Sequence, residues 1–195
     1  MPTTDTHFEH SELLYSLISR QSLLTINRIQ YVAYAAALAC KNEDVLQRIK
    51  QQVGDINELR LQDIKHAVMR MAMTNSYYMA INTLNLSNVK RTNALELTPL
   101  HDLDVEDETA YYYACIAACM VNQGYSCLHG HVELLRDLNE SDEAIDAALR
   151  LTASIIAMAQ ANYINQKRLI LPLNVSLSES LDPVSGASIP FQQRT

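Results

Sequence analysis

The stretch that decides the fold reads Ala110-Tyr-Tyr-Tyr-Ala-Cys-Ile-Ala-Ala-Cys-Met-Val121 and continues Asn122-Gln-Gly-Tyr-Ser-Cys-Leu-His-Gly-His-Val-Glu-Leu-Leu-Arg136. Its first part is an unbroken apolar run with no glycine or proline. It is rich in alanine, which favours a helix interior and lets neighbouring helices approach closely. The run is well short of the roughly 20 residues that a bilayer core demands, so it reads as a buried helix of a globular core and not as a membrane span. It ends at Asn122-Gln-Gly124, and a second helix starts almost at once.

Outward from this pair the whole chain reads as helix. Of its 195 residues only four are glycine and five proline, and no proline falls between Pro2 and Pro99. The spacing of apolar positions predicts helices at about Ser11–Ser19, Thr25–Cys40, Asp44–Val53, Leu61–Leu84, Glu106–Asn122, Ser126–Leu138 and Asp142–Gln166. Ser141 is placed to cap the last of these. Asp142 and Glu143 then lie in its first turn, where the helix dipole favours negative charge, and Lys167 and Arg168 close it with the opposite sign. The expected organisation is an N-terminal arm with a short helix (1–22), one all-α domain (23–168) and an extended tail (169–195). Pro172, Pro183 and Pro190 mark that tail, and its alternating Leu173, Val175 and Leu177 suit a strap along a neighbour. An internal duplication is a further expectation. Ala67–Ala72 slides onto Ala147–Thr152 at a displacement of 80 residues, and Ala37–Cys40 onto Ile116–Cys119 at 79. Any two alanine-rich helices can also be slid into register, so both readings stand.

Charge and composition exclude several functions. With 15 basic against 22 acidic side chains the net charge is −7, and no basic run offers a phosphate backbone a footing. There is no Gly-rich phosphate loop, Walker signature or serine-nucleophile elbow. The N-terminus lacks the charged-then-apolar layout of a signal peptide, which predicts a cytoplasmic protein. In that reducing compartment Cys40, Cys115, Cys119 and Cys127 are expected as free thiols and not as a disulfide framework.

The chemistry is expected at Cys127. It falls in the first turn of the second helix, where unpaired amides and the positive dipole end stabilise a thiolate. His131 follows four residues later on the same face, which is a nucleophile arrangement; the competing reading makes Cys127 a small buried apolar group. His129 points elsewhere and is expected exposed. Cys127, His129 and His131 at i, i+2 and i+4 do not share a helix face, so no metal or other cofactor is expected. His66 is expected as a partly buried structural residue. Met69, Met71, Met73 and Met79 read as core filling, and Tyr111–Tyr113 with Tyr77 and Tyr78 as helix-interface packing or as the lining of an apolar pocket. Arg70 and Arg150 are expected to pair with acids, and Asp102–Glu108 to form a solvated helix start.

The segment from Tyr111 to Ile164 resembles the alkyl hydroperoxidase D (AhpD) and carboxymuconolactone decarboxylase family. The resemblance rests on an apolar helix, Asn122, a turn, Cys127-Leu128, then His131 with Glu133 two residues on. Asp142-Glu-Ala-Ile145 and the alanine-rich last helix add to it, as does the earlier Met71-Ala-Met-Thr-Asn-Ser-Tyr-Tyr78. It covers about residues 23–166. It implies an all-helical fold, a homotrimer or hexamer, and thiol-dependent reduction of hydroperoxides or thiol-disulfide exchange. It also implies re-reduction by a lipoyl group and a peroxiredoxin as partner. Decarboxylase chemistry ranks lower, since a retained Cys-His pair suits redox work.

The chain departs from the family's Cys-x-x-Cys pattern. Cys127 holds the second cysteine position, the one the histidine serves and the one that would attack peroxide. The first position is Gly124, and the family's upstream glutamate falls on Tyr112, a poor base with a phenol pKa near 10. Three outcomes follow. Cys127 could be a one-cysteine peroxidase site reduced by an external thiol. Cys119 or Cys115 could act as the resolving thiol if the helices bring the Cα atoms within about 7 Å. Or the pair has decayed and the chain is a helical oligomer with a binding or structural role.

Overall fold

The computed structural model describes residues 6–20, 22–84, 86 and 94–168, and the described residues form an all-α domain without a strand. Its helices are α1 (Thr6–Ser19), α2 (Ile26–Ala39), α3 (Glu43–Val53), α4 (Glu58–Thr83), α5 (Glu108–Val121), α6 (Tyr125–Asp137) and α7 (Asp142–Arg168). A 3-10 turn at Leu100–Asp102 precedes α5 and was not expected. Most helices begin on a side-chain cap. Thr25, Asn42, Asn57 and Asp107 each accept a backbone N–H three residues on, which satisfies donors that the first turn leaves free. Ser141 does the same for Ala144, as its position predicted. Gly54, at φ 80°, ends α3 in a conformation open to glycine at no steric cost.

The apolar run that opens the sequence reading is the central helix. α5 packs against α2, α4, α6 and α7. Ala114, Ala117 and Ala118 on α5, and Ala33, Ala35 and Ala36 on α2, are fully buried, so the small residues line close helix contacts. Larger side chains fill the remaining space. Ile49, Ile64, Leu135, Leu151 and Ile155 are fully buried, each worth roughly 1.5–3 kcal/mol of transfer free energy. α1 lies on α7 and buries Leu14 and Leu17 in the same core.

Two tyrosines hold the helix starts to the core by similar means. The Tyr31 hydroxyl donates to Asp63 at 2.8 Å while the Arg60 guanidinium lies over its ring. Tyr113 donates to Glu140 at 2.9 Å, and Arg28 lies over that ring and pairs with Glu140. The order of lengths is also similar, with 14, 11 and 26 residues in α2–α4 against 14, 13 and 27 in α5–α7.

Three expectations are corrected. Of the four methionines read as core, only Met71 is buried; Met69, Met73 and Met79 are exposed. Residues two apart on a helix point to different sides, so 69, 71 and 73 could not all face one core. The stretch Asp102–Glu108 is more than a solvated start. Glu106 pairs with Arg60 at 2.6 Å and Asp107 accepts from Asn27 at 2.7 Å, which ties the start of α5 to α4 and α2. Arg150 pairs with Asp146, but Arg70 donates to the Thr98 carbonyl at 2.8 Å and has no acid partner among the described residues. The tail proposed as a strap, 169–195, lies outside the described residues, and so does the charge of Lys167 and Arg168 as side-chain detail.

Candidate functional site

The turn between α5 and α6 builds the site. Asn122 ends α5, and Gln123 adopts a left-handed conformation at φ 57°. The Gln123 N–H bonds to the Met120 carbonyl and the Gly124 N–H reaches back to Cys119 at 2.8 Å. This pair of bonds is a Schellman closure, which satisfies two of the carbonyls left at a helix end. Gly124 is at once the N-cap of α6, and it has no side chain to cap with. The first intrahelical bond of α6 is Leu128 N–H to Gly124 O, so the amides of Tyr125, Ser126 and Cys127 have no helical acceptor. Cys127 therefore sits where the sequence places it, in the first turn of a helix with open amides.

Opposite this turn stands the inward stripe of α4, with Ala67, Met71, Thr74 and Asn75 buried. Asn75 and Gly124 are in direct contact. A Cβ added at Gly124 would lie 2.1 Å from Asn75 Cγ and 2.4 Å from both amide end atoms, so the asparagine amide occupies the room that any side chain at 124 would need. Asn75 is 3 % exposed; its Oδ1 accepts from the Cys119 thiol at 3.5 Å, and its Nδ2 is buried with no partner. Leaving such a donor unmade costs roughly 1–3 kcal/mol. Asn122 Nδ2 and His131 Nδ1, also on elements that border this turn, are buried and unpartnered as well. Between α4 and the start of α6 lies a cavity of about 210 Å³, lined by Asn75, Tyr78, Met79 and Asn82 on one side and Gly124 to Cys127 on the other.

The sulfurs are graded in burial. Cys127 is half-buried, while Cys119 and Cys115 are fully buried and all are free thiols. Burial pushes the Cys127 thiol above its ordinary value, and a hydrogen bond with Thr74 partly offsets this. Burial of the sulfur thus acts against the lowering that a helix start supplies. Cys119 is pushed up to about 12, first by burial and next by the charge that Cys127 would carry, so these two thiols feel each other. Cys119 also donates to Met71 Sδ at 3.3 Å. Cys115 is raised by burial and by Cys119, with no contribution from Cys127.

His131 lies one turn after Cys127, and no hydrogen bond joins the two among the described residues. Burial, with the positive charge of Arg70, lowers its pKa to about 4, so the imidazole is neutral at ordinary pH. Its ring lies against that of Tyr112, 5.9 Å between centroids, and the Tyr112 hydroxyl reaches Glu108 at 3.4 Å. Burial and Glu108 push the Tyr112 phenol up to about 12, which keeps it a hydrogen-bond donor and not a base. His66 stands aside, bonded through Nδ1 to the Tyr111 hydroxyl at 2.8 Å, a structural pairing as expected. His129 is exposed, also as expected. No three histidine, cysteine or acidic side chains converge on a metal-sized space among the described residues.

Sequence reasoning did not single out Asn75 or Thr74, and it took Arg70 for an acid partner. The signal for the first two was available: polar residues at 74 and 75 continue the spacing of Ile64, Ala67 and Met71, which puts hydrogen-bonding groups on an inward face.

Comparison with known proteins agrees with this architecture. The chain is 28 % identical over 151 residues to a protein of Coxiella burnetii named alkyl hydroperoxide reductase AhpD, spanning 76 % of this chain and 85 % of the relative. It is 25 % identical over 151 residues to the protein of that name from a Methylobacterium species, with the same shares covered. For the Mycobacteroides abscessus protein of that name the figures are 24 % over 145 residues, 74 % of this chain and 82 % of the relative. No family model matches the chain.

Proposed function

We propose that this AhpD-like chain reduces hydroperoxides at one attacking thiol, Cys127, with His131 as the proton carrier. The observation that carries the reading is the placement of Cys127. It stands in the first turn of α6, at the wall of a cavity sized for a small molecule, with a neutral imidazole one turn on. The thiol rests protonated. His131 takes its proton as the sulfur attacks, and the thiolate is needed only at that moment. Tyr112 stands where the family's glutamate is expected, and the pair Tyr112–Glu108 orients the histidine ring from behind. The sulfenic acid so formed is reduced by an external thiol, or by Cys119 as resolving thiol, whose ionisation responds to Cys127 while that of Cys115 does not. A peroxiredoxin or a lipoyl-bearing protein would exchange electrons at this same face. The protein acts as a cytoplasmic homotrimer or hexamer, where a reducing medium keeps its four thiols free.

The raised thiol and lowered imidazole favour a second reading, in which the pair is silent and the chain serves as a helical oligomeric binding protein. Peptide mass mapping after substoichiometric hydroperoxide, with a sulfenic-acid trap present, separates the two. The peroxidase reading expects adduct on Cys127, and much less in His131→Ala. A disulfide from Cys127 to Cys119 or Cys115 identifies the resolver. Unmodified Cys127, beside a control peroxidase that reacts, leaves only the second reading.

A further inference from the structure

The turn between α2 and α3 has the same form as the turn that carries the candidate site. Cys40 ends α2 as Asn122 ends α5. Lys41 at φ 54° stands where Gln123 stands at φ 57°, and Asn42 is the N-cap of α3 as Gly124 is of α6. A cavity lies beside each turn. The one at Cys40 is about 410 Å³, against about 210 Å³ beside Cys127, and its other wall is α7. Three and seven residues after the cap, where α6 has Cys127 and His131, α3 has Val45 and Ile49, both fully buried. The larger cavity therefore has no counterpart of the thiol and imidazole, and its shape and lining suit binding alone. On α7 the lining runs from Ile156 through Ala159, Gln160 and Tyr163 to Gln166. At about 1.5 Å of rise per residue this is a groove roughly 15 Å long, which five residues of extended chain cover at about 3.3 Å each. Ile156, Ala159 and the half-buried Cys40 give it apolar surface, while Gln160 and Gln166 offer carboxamides to a backbone that brings its own N–H and C=O groups. Among the described residues that line it only Lys41 carries a charge, and that charge is positive.

The chain supplies a peptide of this kind at the end of the same helix. α7 ends at Arg168, two residues past Gln166, and the sequence continues Leu169-Ile-Leu-Pro-Leu-Asn-Val-Ser-Leu177. Leu173, Val175 and Leu177 alternate with Asn174 and Ser176, so these five residues, extended, have one apolar side and one polar side. The four residues before them, with Pro172 last, leave length for the chain to reverse its direction. The charges that follow, Glu179 and Asp182, are opposite in sign to Lys41. We propose that the cavity between the α2–α3 turn and α7 is the docking site of this chain's own residues 173–177, laid back along α7 with Leu173, Val175 and Leu177 turned inward. The segment itself lies outside the described residues. Docking removes the three apolar side chains from water and covers Cys40. Because the segment is tethered beside the groove, it needs little affinity of its own. It ties the end of the last helix to the first helical turn of α3, and none of this depends on what Cys127 does.

The test is disulfide trapping in the full chain carrying Cys127→Ser, in which Cys40 is the native thiol that is not fully buried. Leu173→Cys, Asn174→Cys, Val175→Cys, Ser176→Cys and Leu177→Cys are made one at a time and oxidised with diamide, and the bond to Cys40 is followed by peptide mass mapping. A disulfide needs Cα atoms within about 7 Å, so a docked segment gives an alternating pattern. At least one of Leu173→Cys, Val175→Cys and Leu177→Cys is expected to couple to Cys40 at least about tenfold faster than both Asn174→Cys and Ser176→Cys. Similar rates at all five positions, or no coupling at any, overturn the inference. Mixing light and isotope-labelled chains shows whose segment is bound. Bonds within one chain are expected, and bonds between light and heavy chains overturn the assignment and make a second copy the occupant. A second measurement needs no new thiol. Val175→Asp in the otherwise native chain is expected to speed iodoacetamide alkylation of Cys40 at least about fivefold and to leave that of Cys127 within about threefold. An unchanged rate at Cys40 means that the segment does not cover it, and a rise of equal size at both thiols means general loosening of the fold; either result overturns the docking.

Discussion

At the scale of single residues, the contact between Gly124 and Asn75 explains the most. A Cβ at 124 meets buried amide atoms with no room to share, and overpacking of this kind costs roughly 1–3 kcal/mol. Gly124→Cys alone is therefore expected to lower the unfolding free energy, read from urea titration, by that order. Combined with Asn75→Ala it should recover most of the loss, because the two changes share one volume and their effects do not add. Only the double variant is expected to form a disulfide between positions 124 and 127, which mass mapping under oxidising conditions checks. His131 supplies a second residue-scale prediction. Its pKa lies near 4 in the folded protein against an ordinary 6.5, so between these values the unfolded chain binds a proton that the folded one refuses. Stability thus falls as pH drops through that window and is untouched by this group above it, by up to about 3 kcal/mol over the full window. Comparing denaturation of wild type and His131→Leu at neutral pH and at roughly pH 4.5 isolates the effect. An equal acid sensitivity in the two would mean that the imidazole is not desolvated. Cys127 follows the opposite course. Its thiol is raised by burial, so alkylation should keep accelerating with pH beyond the ordinary cysteine value near 9.0 instead of levelling off close to neutrality.

At the scale of helices, most of the fold was legible and the reason is local. Thr25, Asn42, Asn57, Asp107 and Ser141 are short polar side chains that stand just before apolar-periodic segments, and each proves to be a cap. Capping depends on a few neighbouring residues, so sequence carries it. The closure of α5 is less legible. The left-handed position of that Schellman turn is held by Gln123, while the glycine comes one residue later as the cap of α6. A side chain at φ 57° costs on the order of 1 kcal/mol relative to glycine, so Gln123→Gly is expected to raise the melting temperature by a few degrees, and Gln123→Val to lower it by more. The same turn separates what was readable in the site from what was not. Cys127 and His131 are four residues apart on one helix, a local relation. Asn75 approaches them from α4, about 50 positions away along the chain, and only packing reveals the pairing. The methionines failed for the reverse reason: composition suggested a core, but spacing two apart sent Met69 and Met73 outward while Met71 went in.

At the scale of the molecule, the outward face of α4 remains to be explained. Met69, Met73, Ala80 and the C-cap Leu84 recur at helical spacing on the outward side of α4, with Met69 65 % and Leu84 64 % exposed. Isolated exposed apolar groups are ordinary, but a series of them along one side of a helix whose other face builds the cavity is what a subunit contact needs. The proposed trimer or hexamer would cover it, gaining roughly 1.5–3 kcal/mol for each large side chain fully removed from water. A net charge of −7 opposes association of like chains, so apolar burial must supply the attraction, and added salt should favour assembly by screening the repulsion. Wild-type protein is therefore expected to run as an assembly by light scattering on a sizing column. Met69→Lys with Met73→Lys is expected to yield monomers, since two new charges would have to be desolvated in every contact. Because this face is opposite the inward stripe that holds Thr74 and Asn75, iodoacetamide alkylation of Cys127 should survive the change within about threefold. A wild type that is monomeric at all concentrations would remove the stripe as an interface, and an assembly unaffected by the double change would move the contact to another face. Loss of Cys127 reactivity together with assembly would show that α4 transmits subunit packing to the cavity, which would make the oligomer part of the site and not only its support.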